Sequence, residues 1–332
     1  MDALAGLLDG PRARGAFLLR MVMEPPWAVR VADRAPICLM SVTRGTAWIV
    51  PSEGAEPVRL DPGDIAVVRG PHPYTVADAP GTEPHALVGP GGHCTTLHGR
   101  PLSQEMLLGV RTWGNAAHGA TAVLVGTYLM DGEISRRLLD ALPPLLRLPA
   151  DRRTGPLLDL LDAEIAQDEP GQHVVLDRLL DLLLIAVLRG WFSRPGAEAP
   201  AWYRAMSDPV VGVALRLLQN DPAHPWTVAS LAARAGVSRA GLARRFTELV
   251  GEPPMAYLTG WRLALAADLL RESDATVEAV ARRVGYSAPF AFSTAFKRVR
   301  GVSPQEYRAT GDGGEPPART GLPERQRNLP TG

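Results

Sequence analysis

The sequence predicts an α+β chain. A β-rich amino-terminal part, a small barrel or sandwich, is followed by helices that end in an all-α part. Three observations carry that prediction. Between Ala16 and Met130 short apolar segments alternate with Gly and Pro, the texture of strands and turns. From Asp131 onward the apolar residues recur at helical spacing. Between Trp226 and Tyr307 a pattern of matched residues returns after 49 to 50 positions, which marks a repeated structural unit.

Composition bounds the remaining possibilities. The 332 residues are 46% hydrophobic and 21% charged, and that length suggests two domains that can each bury a core. Two cysteines, Cys38 and Cys94, are too few for a disulfide framework or a zinc cage of cysteines. There is no run of 18 apolar residues, and the start MDALAGLLDG lacks the basic residues and long apolar core of a signal peptide. A cytoplasmic protein without membrane contact is therefore expected.

The first strands are expected at Ala16 to Met23, Ala28 to Val31, Ile37 to Thr43 and Gly45 to Val50. Further ones follow at Val58 to Leu60, Ile65 to Val68, Tyr74 to Val76 and Ala122 to Tyr128. The most informative piece is VRLDPGDIAVVRGPHPY, Val58 to Tyr74: Asp61, Pro62 and Gly63 supply a turn, and the strand IAVV then leads to Gly70 and His72.

Three helical pieces come next. Leu138, Leu139, Leu142, Leu145 and Leu146 form one, broken by Pro143 and Pro144; Leu157 to Asp168 is the second; Val174 to Phe192 is the third. The third reads VVLDRLLDLLLIAVLRGWF, so apolar that most of its surface must be covered. It is too short, and too interrupted by Asp177, Arg178 and Asp181, to span a membrane. Its partner is either its own neighbours or the same helix of a second copy. SRPGAEAP, Ser193 to Pro200, reads as a linker. Trp202 to Asn220 then opens the all-α part, with DPVVGVALRLLQNDP as its first helix, and the stretch from Gly311 to Gly332 is expected to be disordered.

In the repeat, Val228, Leu231, Ala232, Ala235, Gly236 and Ser238 fall on Val277, Val280, Ala281, Val284, Gly285 and Ser287 at an offset of 49. After one inserted residue Leu242, Phe246 and Gly251 meet Phe292, Phe296 and Gly301 at an offset of 50. The first four positions make one apolar stripe on a short helix. Gly236 stops that helix where a left-handed residue costs little, and Val237 plugs the corner. Ser238 is a good N-cap for a second helix whose Leu242 and Phe246 share a face. In the second copy either Ser287 caps, or Ala288 does with Pro289 at the first helical position.

Two short helices joined by a tight glycine turn form a helix-turn-helix, whose second helix suits the major groove of DNA. Between the copies, Met255 to Arg271 reads as one long helix that fixes the separation of the two heads; successive major grooves on one face lie roughly 34 Å apart. The whole chain has a formal charge of zero, yet Pro209 to Ala309 holds 13 Arg and Lys against 8 Asp and Glu, a surplus of five. Arg239, Arg244 and Arg245 cluster on the second helix of copy one, and Lys297, Arg298 and Arg300 at the end of its counterpart, where phosphates would be met.

With VASLAARAGVSRAGLARRF, GEPPMAYLTGWRLALAADLL and VEAVARRVGYSAPFAFSTAFKRVRGVSPQEYR, the stretch Trp226 to Arg308 resembles the DNA-binding domain of AraC/XylS-type transcriptional regulators. Val58 to Tyr74 resembles the cupin barrel, more narrowly the cupin-like sensor of one AraC subgroup. The resemblance implies a cupin-like sensor in residues 1–130, a helical dimerisation region and linker in 131–200, a double helix-turn-helix domain in 201–309 and a tail in 310–332. Its implied partners are double-stranded DNA, RNA polymerase, a small-molecule or redox effector, and a second copy of the chain through Val174 to Phe192.

Base contacts implied by the family fall on Ala240, Ala243 and Arg244 in the first recognition helix and on Pro289, Phe290, Ser293 and Thr294 in the second, with Ser238, Arg239, Arg245, Lys297 and Arg298 beside them at the DNA. Arg244 is the best candidate for a forked contact to guanine. The family often has Arg where Thr294 stands, so the first helix is expected to supply more base discrimination and the second more backbone anchoring. Metal-binding cupins place two His and a Glu on an early strand. Gly45 to Val50 offers only Trp48, and only His72 has a counterpart in the ligand set, so neither metal nor other cofactor is expected. The rival reading, a metal-dependent cupin enzyme fused to a DNA-binding domain, is opposed by those missing ligands. A DNA-repair methyl acceptor would need a metal-clustered cysteine set that two isolated cysteines do not supply. Trp48, His72 and Tyr74 are the candidate effector residues, against the plainer reading of two core aromatics and a solvated turn. Cys94 beside His93 is the redox candidate, since a neighbouring imidazole can lower a thiol's pKa, against the plainer reading of an inert thiol.

Overall fold

The computed structural model describes residues 17–52, 54–102, 104–128, 139–194 and 199–312. Leu138, the middle of the expected linker, and the expected tail beyond Asp312 lie outside them. The described residues divide into two compact units, 17–128 with 144–180, and 139–143 with 181–312.

The first unit holds thirteen strands among its described residues. They are β1 (Phe17–Met23), β2 (Ala28–Val31), β3 (Ile37–Arg44), β4 (Ala47–Pro51), β5 (Val58–Leu60), β6 (Ile65–Arg69), β7 (Tyr74–Ala77), β8 (Ala86–Val88), β9 (Cys94–Thr95), β10 (Leu107–Gly109), β11 (Thr112–Gly114), β12 (Thr121–Tyr128) and β13 (Leu145–Leu148). The sheets run β10-β11-β1-β12-β3-β6-β13 and β5-β4-β7-β2-β8-β9. Both are open, so the cupin-like β-barrel expected from the resemblance is not closed and stands as a sandwich. Alternation sets the faces: Cys38, Met40 and Val42 of β3 point to the shared core with Ala47 and Ile49 of β4 and Tyr74 and Val76 of β7. Ile37 and Leu39 face the other way, where α1 (Gly155–Ile165) lies across β1 and β3.

Leu145 and Leu146, expected on a helix, lie on β13, paired antiparallel with β6 through Leu145↔Val68 and Leu146↔Val67. Pro144 cannot continue a helix ladder, and a free sheet edge offers the following residues backbone partners. Asp64, in the DPGD turn read from the sequence, holds β13 in place. Its buried carboxylate accepts from Arg147 Nε at 2.8 Å and from the Ala150 N–H at 3.2 Å. The helix α2 (Gln172–Phe192) begins in this unit, where the Tyr128 hydroxyl donates to the Leu180 carbonyl at 2.8 Å.

The second unit carries α3 (Ala201–Ala205), α4 (Val211–Asn220), α5 (Val228–Arg234), α6 (Arg239–Val250), α7 (Pro254–Glu272), α8 (Val277–Arg283), α9 (Pro289–Arg300) and α10 (Pro304–Asp312). The helix expected in DPVVGVALRLLQNDP is α4, started where Asp208 accepts from the N–H groups of Val210 and Val211; the short α3 before it was not anticipated. The long helix α7 serves two cores. Tyr257 and Leu258 join Leu231, Ala232, Leu242 and Phe246 in the first; Leu263, Ala266, Ala267 and Leu270 join Val280, Ala281, Phe292 and Phe296 in the second. Truncating one of these fully buried phenylalanines to Ala removes about 3–5 kcal/mol of packing.

Candidate nucleic-acid interface

Both corners of the repeat close in the same way. In the first, Gly236 has φ 70°, its N–H donates to the Ala233 carbonyl at 3.3 Å, and the Val237 N–H donates to Ala232 at 3.0 Å. In the second, Gly285 has φ 86°, and the matching bonds run from Gly285 to Arg282 at 3.0 Å and from Tyr286 to Ala281 at 2.9 Å. This paired 5→2 and 6→1 pattern satisfies the last carbonyls of a helix while reversing the chain. The helix that follows each corner starts differently. Ser238 caps α6 by accepting from the Gly241 N–H at 3.1 Å. Ala288 stands at the N-cap of α9 with no side-chain bond, and Pro289 opens the helix, which settles the two starts left open by the sequence.

Burial separates the inner from the outer faces. Leu242 and Phe246 of α6, and Phe292 and Phe296 of α9, are fully buried. Ser238, Arg239, Ala240, Arg244 and Arg245 are exposed on or beside α6, with Ala243 half-buried. On α9 Pro289, Phe290, Thr294, Lys297 and Arg298 are exposed and Ser293 is half-buried. At helical spacing Ala240 and Arg244 of α6, and Phe290 and Thr294 of α9, lie one turn apart on the side away from those buried residues. Arg244 reaches Glu248 one turn on at 3.8 Å, a loose pairing of two exposed groups that leaves the guanidinium free to turn to another acceptor.

Arg245, expected at phosphate, pairs within the protein. Its Nε and Nη2 both reach Asp208 Oδ2, at 3.0 and 2.6 Å, tying α6 to the start of α4. Burial alone would raise the Asp208 carboxyl, but the bonds from Arg245 and from the Val211 and Val210 N–H groups outweigh it and hold it below its ordinary value.

Sequence reasoning missed Arg262. From α7 its Nε donates to the Pro222 carbonyl at 2.6 Å and its Nη2 to the His224 carbonyl at 2.9 Å, while its guanidinium lies 5.9 Å from the Tyr286 ring. One side chain thus joins the loop entering the first motif to the corner of the second. A lone Arg in the apolar run WRLALAADLL was the signal available.

The nominated sensor residues do not converge. Tyr74 is buried in the sandwich core; Trp48 lies between the core residues Ala47 and Ile49 on β4 and so faces the opposite side of its sheet; His72 is exposed in the turn before β7. Burial pushes the Cys94 thiol up to about 11, the opposite of the lowering that a redox role would use. Burial likewise pushes Cys38 up to about 11, and its thiol lies against the Tyr74 hydroxyl. Between the sheets the indole N–H groups of Trp27 and Trp113 are buried without a protein acceptor. Among the described residues no three His, Cys, Asp or Glu side chains group as metal donors, and no helix is long and apolar enough to cross a membrane.

The Cupin family model matches residues 2–193, and the helix-turn-helix domain model matches residues 231–310. An AraC-like transcription regulator of Streptomyces lividans is 34% identical over 313 residues, covering 93% of this chain and 98% of the relative. The HTH-type transcriptional regulator AlkR of Acinetobacter baylyi is 36% identical over 314 residues, covering 93% and 99%. Among solved structures, the DNA-binding domain of AdpA in complex with a target DNA is 39% identical over 31% of this chain and 93% of that one, with a TM-score of 0.30. A cupin-type amino-terminal region, a duplicated helix-turn-helix and relatives that align from end to end agree: the chain belongs to the AraC-like family of DNA-binding transcriptional regulators.

Proposed function

We propose that this regulator is a cytoplasmic, non-enzymatic homodimer that binds an operator through both helix-turn-helix motifs and answers a signal received in its cupin-type sandwich. The observation that carries the reading is the pair of outward recognition faces on one frame. The 19-residue α7 is about 28 Å long, close to the pitch that separates successive major grooves. In this reading Arg244 forks onto guanine. Lys297 and Arg298 hold phosphates, and Arg245 acts as a positioning residue through Asp208.

Duplexes selected from a random pool by the full chain test this. The expected site has two conserved stretches about one helical turn apart, and affinity that falls steeply between low and moderate salt. A selected pool with no common sequence, or one short stretch only, overturns the double-headed reading.

Dimerisation through α2 is supported by Val174, Val175 and Leu182, large apolar side chains left exposed along it. Sedimentation of the full chain at micromolar concentration should show dimers that Leu182→Asp dissociates. For the signal, the unpartnered indole donors of Trp27 and Trp113 favour the space between the sheets over the His72 turn. A ligand effect on operator binding, or on contact with RNA polymerase, that survives both Trp27→Phe and Trp113→Phe would remove that assignment.

A further inference from the structure

Phe290 is 84% exposed, far more than any other large apolar side chain among the described residues, the next being Leu160 at 55%. It sits in the first turn of α9, directly after Pro289, on the side of the helix that also carries Thr294. The Thr294 hydroxyl donates to the Phe290 carbonyl at 2.9 Å, so its proton is spent within the helix and its methyl group remains as contact surface. Phe290, Ala291, Thr294, Ala295 and Arg298 line a shallow recess. Nothing in that set before Arg298 can fork onto a base. At the matching positions of α6, fifty residues earlier, Ala240 and Arg244 stand in place of Phe290 and Thr294.

Exposing a phenyl ring to water costs free energy, and DNA offers one apolar group in the major groove, the 5-methyl of thymine. The cations Lys297, Arg298 and Arg300 in the last turn of α9 give this end of the domain a charge that suits a duplex. We propose that the tip of α9 selects thymine in the second half-site by apolar contact of Phe290 and the Thr294 methyl with thymine 5-methyl groups. This rests on the double-headed DNA reading above and assigns the second head its own chemistry: α6 reads by hydrogen bonds, α9 by methyl groups.

The test uses the selected operator and the full chain. The stretch whose profile changes in Arg244→Ala belongs to α6; the stretch one helical turn away belongs to α9. Replacing single thymines there by deoxyuridine removes only the methyl, and burial of one such group corresponds to a loss of about fourfold in affinity. The expected result is that loss at one or two positions with the wild-type chain, a clearly smaller one with Phe290→Ala, and an intermediate one with Phe290→Leu. Because Phe290 is exposed, the melting temperature of Phe290→Ala should match that of the wild type, which separates recognition from folding. Deoxyuridine without effect in the α9 stretch overturns the proposal, and so does a weaker Phe290→Ala that keeps full sensitivity to the methyl, since the ring would then be stacking or anchoring. Failure to select any common sequence instead sinks the underlying DNA reading.

Discussion

The two recognition helices share their buried residues and differ in most of their exposed ones. Leu242 and Phe246 of α6 fall on Phe292 and Phe296 of α9, whereas Ala240, Arg244, Arg245 and Glu248 fall on Phe290, Thr294, Ala295 and Arg298. Packing against α7 constrains the first set in both copies. Of the second set Arg245 is held by Asp208 and Ala295 packs against the second core, whereas Ala240, Arg244, Phe290 and Arg298 are exposed, so each head can carry its own chemistry. The frames are also fastened differently. The first motif uses the Arg245 to Asp208 ion pair across 37 residues. The second uses a run of rings, Tyr286 to Phe292 at 5.4 Å, Phe292 to Phe296 at 5.6 Å and Phe296 to Tyr307 at 5.3 Å.

The sharpest way to break the apparent equivalence is at the corners. A Cβ at Gly236 meets nothing within 4 Å, so Gly236→Ala costs only the left-handed backbone, about 1–2 kcal/mol. At Gly285 the same Cβ would lie 2.8 Å from Ala223 Cα, from the Ala223 oxygen and from Arg262 Nη2. Overpacking then adds about 1–3 kcal/mol. Urea denaturation of the two variants should rank Gly285→Ala as the clearly weaker protein.

Arg262→Ala removes the two bonds from α7 to the Pro222 and His224 carbonyls and should cost about 1–3 kcal/mol of stability. It should also weaken binding to a two-stretch operator more than to either stretch alone, measured by fluorescence anisotropy. Equal losses on both duplexes would mean that Arg262 only stabilises and does not align the heads.

Arg244→Ala should relax preference at one base pair by about 1–3 kcal/mol without lowering the melting temperature. If its selected-site profile is unchanged while that of Thr294→Ala shifts, the assignment of polar reading to α6 is wrong.

The caps should respond in opposite directions. Ser238→Ala loses the bond to Gly241, about 1 kcal/mol, whereas Ala288→Ser supplies a cap that α9 lacks and should raise its stability by a smaller amount, both read by thermal melting.

The smallest effect is a pH dependence confined to the first motif. The Asp208 carboxyl is held below its ordinary value near 3.8, so its contribution is complete above that pH and is lost as pH falls through the depressed folded value. Asp208→Asn should remove that part of the acid destabilisation in melts recorded between pH 5 and about pH 2.

The helical half was legible because its signals are local. Glycine corners, the Ser238 cap, the apolar stripes and the rod between the copies each lie within a few residues of the groups they organise. The sandwich was legible in eight strands, including the three-residue β5 beside its Asp-Pro-Gly turn. β8 to β11 have two or three residues each, too few to show alternation, and owe their existence to neighbouring edges. LLRL at Leu145 to Leu148 suits a helix or a strand equally well, and β6, some eighty residues earlier, decides it.

By itself the sequence determined that two reading heads flank a rigid helix, since periodicity and turn chemistry act over one or two turns of chain. Only the tertiary structure decided that Arg245 belongs to Asp208 and that Arg262 links the two motifs. It alone decided that Trp48 and Tyr74 face opposite ways and that the sheets stay open. Those outcomes depend on which distant group arrives to satisfy a charge, a carbonyl or a strand edge, and no local pattern encodes that choice.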